Sequence, residues 1–171
     1  MAKLFLTTLP TEAELKKLTE ESHPGIDPLS MHSHILFRKL SSDFETNLES
    51  FFSKYNLSTG RFTLLLLLES SQNGMMPSEM AQKVGVTQAT ISGLINSLEK
   101  AELVKREVHE RDGRSFVIRL TDKGLSLFKE ITPIYFERVN QFWSSFDEAE
   151  KKALSSFFGR MIKGVSIIGA K

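Results

Sequence analysis

The chain has 171 residues, enough for one domain with a helical extension. Its 22 basic and 21 acidic residues nearly cancel, so no global field draws it onto nucleic acid or a membrane, and any such site must be a local arrangement. It has no cysteine, which excludes disulfides, thiolate metal centres, thiol nucleophiles and thiol redox switches. The longest apolar run, Leu64 to Leu68, is far short of a membrane span. The first ten residues lack the apolar stretch of a secretory signal, so a cytoplasmic protein is expected and the sequon at Asn56 is read as accidental.

Thr11 and Glu14 form a capping-box pattern, which predicts a short helix ending before His23-Pro24-Gly25. A longer helix is expected from about Asp27 to Phe52. Leu29, His32, Leu36, Leu40, Phe44, Leu48 and Phe51 recur there at three- and four-residue spacing and make one largely apolar stripe. Residues 1–26 form an extension that either embraces a partner subunit or stays mobile. After a break at Asn56 to Gly60, the segment Arg61–Ser70 carries Phe62 and five successive leucines and reads as a helix buried all round.

Ser70 to Gly74 is a turn cluster, and Pro77 suits the first turn of a helix that stops at Gly85. Thr87 then caps a helix expected over Gln88 to Ala101. Two short helices with a turn of about three residues between them follow the helix-turn-helix length pattern. Strands are expected at Val104–His109 and Phe116–Thr121. Phe116, Ile118 and Leu120 alternate cleanly in the second; Arg106 interrupts the apolar parity of the first. Asp112-Gly113 between them is a hairpin signal. A helix follows from Thr121 to about Ser144, with a kink expected at Pro133. Asp147 and Glu150 then form a capping box for a last helix with Leu154, Phe157, Phe158, Met161, Ile162 and Val165 at helical spacing.

The helix from Gln88 has two faces. Ile91, Leu94, Ile95 and Leu98 fall on one, and Gln88, Ser92, Asn96 and Lys100 on another. A short, polar, mostly uncharged face enters a major groove without steric block, and Gln, Ser and Asn reach base edges there; Gln88 is a candidate for a bidentate contact to adenine. The same face also suits a helix that is merely solvated. Ala81 permits close helix crossing and Gly85 the turn. Arg111 and Arg114 flank Asp112-Gly113, where an arginine can reach a narrow minor groove, with Asp112 orienting one of them or simply forming the turn. Residues 103–119 carry Lys105, Arg106, Arg111, Arg114 and Arg119 against Glu107, Glu110 and Asp112, a local positive excess.

Taken together, Met80-Ala81-Gln82-Lys83-Val84-Gly85-Val86-Thr87, Ile91-Ser92-Gly93-Leu94-Ile95, Leu98-Glu99-Lys100, Leu103-Val104-Lys105-Arg106, Asp112-Gly113-Arg114 and Leu120-Thr121-Asp122-Lys123-Gly124 resemble the MarR family of winged helix-turn-helix regulators. The motifs cover about a third of the chain, and the order of flanking helices extends the likeness loosely over residues 27–168. The resemblance implies a mainly α fold with a small two-stranded β wing, set between dimerisation helices. Residues 27–60 and 122–171 would then supply the dimer, and 61–121 the reading domain. It also implies a homodimer that binds a pseudo-palindromic double-stranded DNA operator, with no cofactor. In that reading Thr87, Gln88, Ala89, Thr90, Ser92, Gly93 and Asn96 face the major groove, and Arg111, Asp112 and Arg114 form the wing contact, with Arg114 the wing arginine. Repression by promoter occlusion is the implied mechanism, with activation left open. Glu102 stands where the family commonly has glycine, so mild strain is expected there.

Members of the family often release DNA on binding a small phenolic anion, and His34, Phe37, Arg38 and Phe62 are the candidates for such a pocket here; core or interface packing is the competing role for all four. His32 and His34 lie two apart and so point to different helix faces, and no metal site is expected. Methionine oxidation stays open as a switch, although Met75 and Met76 fit packing better. No nucleotide-binding, nucleophile-elbow or zinc-protease motif is present, so an enzyme is not expected. The rival class is a winged helix that docks protein without binding DNA, which the near-neutral charge of residues 73–120 favours.

Overall fold

The computed structural model describes residues 8–23, 25–71, 73–109 and 112–170; the side chains of residues 109 and 112–115 are not among those described. The chain divides into two units, one ending at Thr121 and one beginning at Asp122.

In the first unit, Thr11 Oγ1 accepts from the Glu14 N–H and Glu14 returns the bond to Thr11 N, which starts α1 (Glu12–Ser22). Leu15 and Thr19 are its buried residues, and the helix packs on α2 (Pro28–Ser53). The amino-terminal extension therefore contains a helix seated on its own chain. Asp27 caps α2 through the Leu29 and Ser30 N–H groups. Only Phe51 and Phe52 at its far end are buried. Most of the expected apolar stripe is exposed: Leu29, Leu36, Leu40 and Phe44 show 39–55% of their surface.

Ser58 caps α3 (Thr59–Glu69), so the helix begins earlier than its leucine run suggests. It is not buried all round. Phe62, Leu64, Leu65 and Leu68 are buried, but Leu66 is 37% exposed and Glu69 lies in solvent. Five consecutive leucines sweep 100° each around a helix, so one of them must face away from any single packing surface. Pro77 opens α4 (Pro77–Val84), and α5 (Gln88–Lys100) follows after its Thr87 cap.

Strands β1 (Val104–His109) and β2 (Asp112–Leu120) pair antiparallel, Val104 opposite Leu120 and Val108 opposite Phe116. β2 starts four residues before the expected Phe116. The register shifts beyond Val108 so that His109 faces Asp112, which puts Asp112 in the ladder. The expected alternation of β2 also breaks. Val117 and Ile118 are both buried and Phe116 is exposed, because the base of the strand is covered by α3 while its outer half projects. A third short segment joins the wing: Met75 exchanges both backbone hydrogen bonds with Ile118, at 3.1 and 2.9 Å. Met75 is thus a buried structural residue.

The ends of α2 and α5 share one device. After α2 the Asn56 N–H bonds to Ser53 O and the Leu57 N–H to Phe52 O, with Asn56 at φ +55°. After α5 the Glu102 N–H bonds to Glu99 O and the Leu103 N–H to Leu98 O, with Glu102 at φ +62°. These are paired Schellman closures, and the apolar residue after each left-handed position, Leu57 or Leu103, is buried together with the helical residue whose carbonyl it holds. The expected strain at Glu102 is therefore located in a left-handed cap.

In the second unit, α6 (Asp122–Trp143) runs uninterrupted across Pro133. Asp147 and Glu150 make the expected capping box for α7 (Glu148–Gly164), which passes into a 3-10 turn at Val165–Gly169. Phe142, Trp143 and Phe146 cluster at the α6–α7 turn with ring centroids 5.1–6.4 Å apart. No residue of α7 is buried, and Ile162 is 74% exposed.

Two substitutions probe these turns. Glu102→Gly removes the left-handed penalty and is expected to raise stability by about 1 kcal/mol, read as a higher urea midpoint. At Gly74, φ is +74° and an added Cβ would lie 2.7 Å from the Ile118 carbonyl oxygen. Gly74→Ala is expected to cost about 2 kcal/mol or more in the same assay.

Candidate nucleic-acid interface

The orientation of α5 follows from its apolar residues. Ile91, Ile95 and Leu98 are wholly buried, and α5 packs against α3, α4 and β1. Thr87, Gln88, Ala89, Thr90, Ser92, Gly93, Asn96 and Lys100 are left exposed. This is the face expected to meet bases. Its only charge is Lys100, at the far end. At the near end Thr87 Oγ1 accepts from the Thr90 N–H at 3.2 Å. Arg61, which the sequence reading passed over, ties the helix to α3: its Nη1 donates to Ser97 Oγ at 3.3 Å while Nε reaches Ser58 Oγ at 3.4 Å.

The wing meets α5 through Arg106. Its Nη2 donates to Asn96 Oδ1 at 2.5 Å and lies 3.6 Å from the Glu99 carboxylate, and its guanidinium carbon sits 5.3 Å from the centre of the Phe116 ring. Arg106 is the residue that spoiled the strand's alternation in the sequence. That irregularity was the available signal, since a charge on the inward parity needs partners from another element.

Further along the strands, Glu107 pairs with Lys105 at 2.7 Å and with Arg119 Nε at 2.8 Å. Two of the five basic residues that gave this segment its positive excess thus share one carboxylate. Arg111 lies outside the described residues, as do the side chains of Asp112 and Arg114, so the proposed arginine–aspartate pairing at the tip is outside what the structure describes.

The four candidate pocket residues do not form one group. His34, Phe37 and Arg38, at i, i+3 and i+4, share an exposed face of α2. Phe62 instead lies in the core, 4% exposed and stacked on Phe52 with centroids 4.3 Å apart. In this structure Phe62 sits in the core, apart from the exposed face that carries the other three. Among the described residues there is no cluster of three or more histidine and carboxylate side chains fit to hold a metal ion, and no helix long and apolar enough to cross a membrane.

Among the described residues of the wing, Glu107 is the acid whose carboxyl is shifted. The hydrogen bond from Lys105 holds its carboxyl below the usual range; desolvation opposes this, and the charges of Lys105 and Arg119 add to the lowering. The pairing is therefore complete at neutral pH and is lost as pH falls through that lowered value. A carbon-13 NMR titration of Glu107 is expected to show the depressed midpoint, and Lys105→Met to move it upward; an unmoved midpoint would assign the shift elsewhere.

The MarR family model matches residues 57–116, from the turn between α2 and α3 to the middle of β2. The chain is 28% identical over 155 residues to the HTH-type transcriptional repressor YetL of Bacillus subtilis, covering 89% of this chain and 93% of that protein. It is 31% identical to the HTH-type transcriptional regulator PecS of Dickeya dadantii, over 68% of this chain and 71% of that one. Among solved structures it is similar to MepR of Staphylococcus aureus in a complex with DNA. There the TM-score is 0.70 at 23% identity, with 77% of this chain and 95% of that chain covered. These relatives are regulators, not enzymes. The chain belongs to the MarR family of winged helix-turn-helix transcriptional regulators.

Proposed function

We propose that two copies of this chain bind a pseudo-palindromic stretch of duplex DNA and repress transcription by covering a promoter. The observation that carries this reading is the outward face of α5: polar, short-chained, uncharged except at Lys100, and held in one orientation by a buried apolar face. Side chains of that kind fit a major groove and hydrogen-bond base edges, with Gln88, Ser92 and Asn96 as readers and Thr87, Ala89, Thr90 and Gly93 lining the approach. The wing, with Arg111, Asp112 and Arg114 at its tip, reaches the neighbouring minor groove. That YetL is a transcriptional repressor and that MepR is seen in a complex with DNA support the same reading.

A homodimer is supported by the helices outside the reading domain. Leu29, Leu36, Leu40 and Phe44 of α2, and Phe157, Met161 and Ile162 of α7, are too numerous and too large to be left in water singly. A two-fold dimer covers such faces and sets two recognition helices about one turn of DNA apart, roughly 34 Å. Residues 27–60 and 122–171 are its structural parts, and the place of action is the cytoplasm. A small aromatic anion is the proposed releasing effector, with His34, Phe37 and Arg38 as its contacts and Phe62 withdrawn from the set. Its coupling to DNA is reciprocal, so DNA must weaken the anion by the same factor.

A protein-docking role is the second reading, favoured by the neutralisation of Lys105 and Arg119 through Glu107. Fluorescence anisotropy separates the two, using the duplex upstream of the protein's own gene, a scrambled duplex and a series of salt concentrations. The expected result is sequence-dependent binding of two chains per duplex, weakened about 5- to 150-fold by Arg114→Ala. Equal, weak binding to both duplexes that ignores Arg114 would sink the DNA reading and leave the docking one.

A further inference from the structure

Asn96 stands in the middle of the exposed face of α5, but one end of its amide is already engaged. Arg106 reaches from β1 and donates to Asn96 Oδ1 at 2.5 Å. A guanidinium has donors and no acceptor, so the oxygen is the atom of this amide that it holds. Arg106 is itself gripped on three sides, by Asn96, by Glu99 at 3.6 Å and by the Phe116 ring. Asn96 and Glu99 are three residues apart on the same helix, so both anchors turn with α5. The amide nitrogen of Asn96 makes no hydrogen bond among the described residues.

Resting on the DNA-binding reading above, we infer that Arg106 is a positioning residue that makes Asn96 a donor-only reader of the major groove. A free asparagine meets adenine with both ends of its amide, oxygen to N6 and nitrogen to N7. With one lone pair of Oδ1 bound and the oxygen turned toward β1, the amide is held away from the edge-on pose that sets both atoms against one base. Only its N–H donors face outward. The keto bases accept such a donor at guanine O6 or thymine O4. Adenine N7 also accepts one N–H, but the N6 amino group beside it opposes a second donor where guanine O6 would accept it, and cytosine N4 offers no acceptor at all, so the amino bases are disfavoured. The base facing Asn96 is therefore guanine or thymine. Arg106 sets this choice without touching a base, and the wing influences sequence preference through a contact made inside the protein.

The test is selection from a randomised duplex library with the full chain, followed by sequencing. Wild type, Asn96→Ala, Arg106→Met and Arg106→Lys are compared, with thermal melts to check folding. Asn96→Ala is expected to flatten one position per half-site, with a loss of about three- to tenfold in discrimination. Wild type carries a keto base at that position. Arg106→Met moves the same position toward adenine and leaves the others unchanged, while Arg106→Lys, which keeps a donor for Oδ1, retains the wild-type choice. Adenine at that position in wild type overturns the inference. So does an Asn96→Ala profile identical to wild type, which holds whether or not the arginine variants fold. So does a uniform loss across all sequences in Arg106→Met. Wild type that selects no sequence at all overturns the DNA-binding reading itself, and is told apart because it appears before any variant is compared.

Discussion

Burial of Ile91, Ile95 and Leu98 is the constraint from which the reading domain follows. Each such side chain is worth about 1.5–3 kcal/mol when taken from water, so α5 cannot roll about its axis without losing most of that term. With the apolar face committed, Gln88, Ser92 and Asn96 have no other direction to take. The surrounding ties are weaker and act as adjustments. Arg61 to Ser97, Arg106 to Asn96, and the closure at Glu102 fix the angle and the end of a helix whose facing is already decided.

The helix starts were legible in the sequence because each signal there is local. Caps at Thr11, Thr87 and Asp147 need only a side chain and an N–H three residues on, and all three are present. The position of Glu102 was legible only through the family resemblance, which has glycine where the backbone here takes positive φ. What was not legible depended on chain segments distant in sequence. Met75 pairs with Ile118 across more than forty residues, and nothing at Met75 itself announces a strand partner. Phe62 had the composition of a pocket residue, but its place was set by Phe52, on a different helix. Likewise the charge count around the wing gave a positive patch, while the pairing of Arg119 with Glu107 depends on strand register.

The apolar stripes of α2 and α7 show the limit of a pattern read without a partner. Their spacing correctly marks helices, but periodicity does not say what covers the face. Phe51 and Phe52 are buried within their own chain, while Leu36, Leu40 and Phe44 on the same helix are not. If a second copy covers them, much of the energy that holds these helices in place is intermolecular. The stability of the chain then depends on its concentration, in the manner of an obligate dimer.

Thr121 fastens both ends of the wing. Its N–H bonds to the Leu103 carbonyl at 3.1 Å, and its Oγ1 donates to the Glu102 carbonyl at 2.7 Å. The ends of the hairpin are thereby joined where it leaves the domain, and what lies between is a closed loop. Extending a closed loop costs little, about 0.6 kcal/mol for each doubling of its length. Insertions or deletions at the tip would alter how far this arm extends without disturbing the helices behind it. The hairpin is in that sense an exchangeable cassette, a part of the molecule that evolution or an engineer can lengthen, shorten or recharge while the frame holding α5 stays as it is.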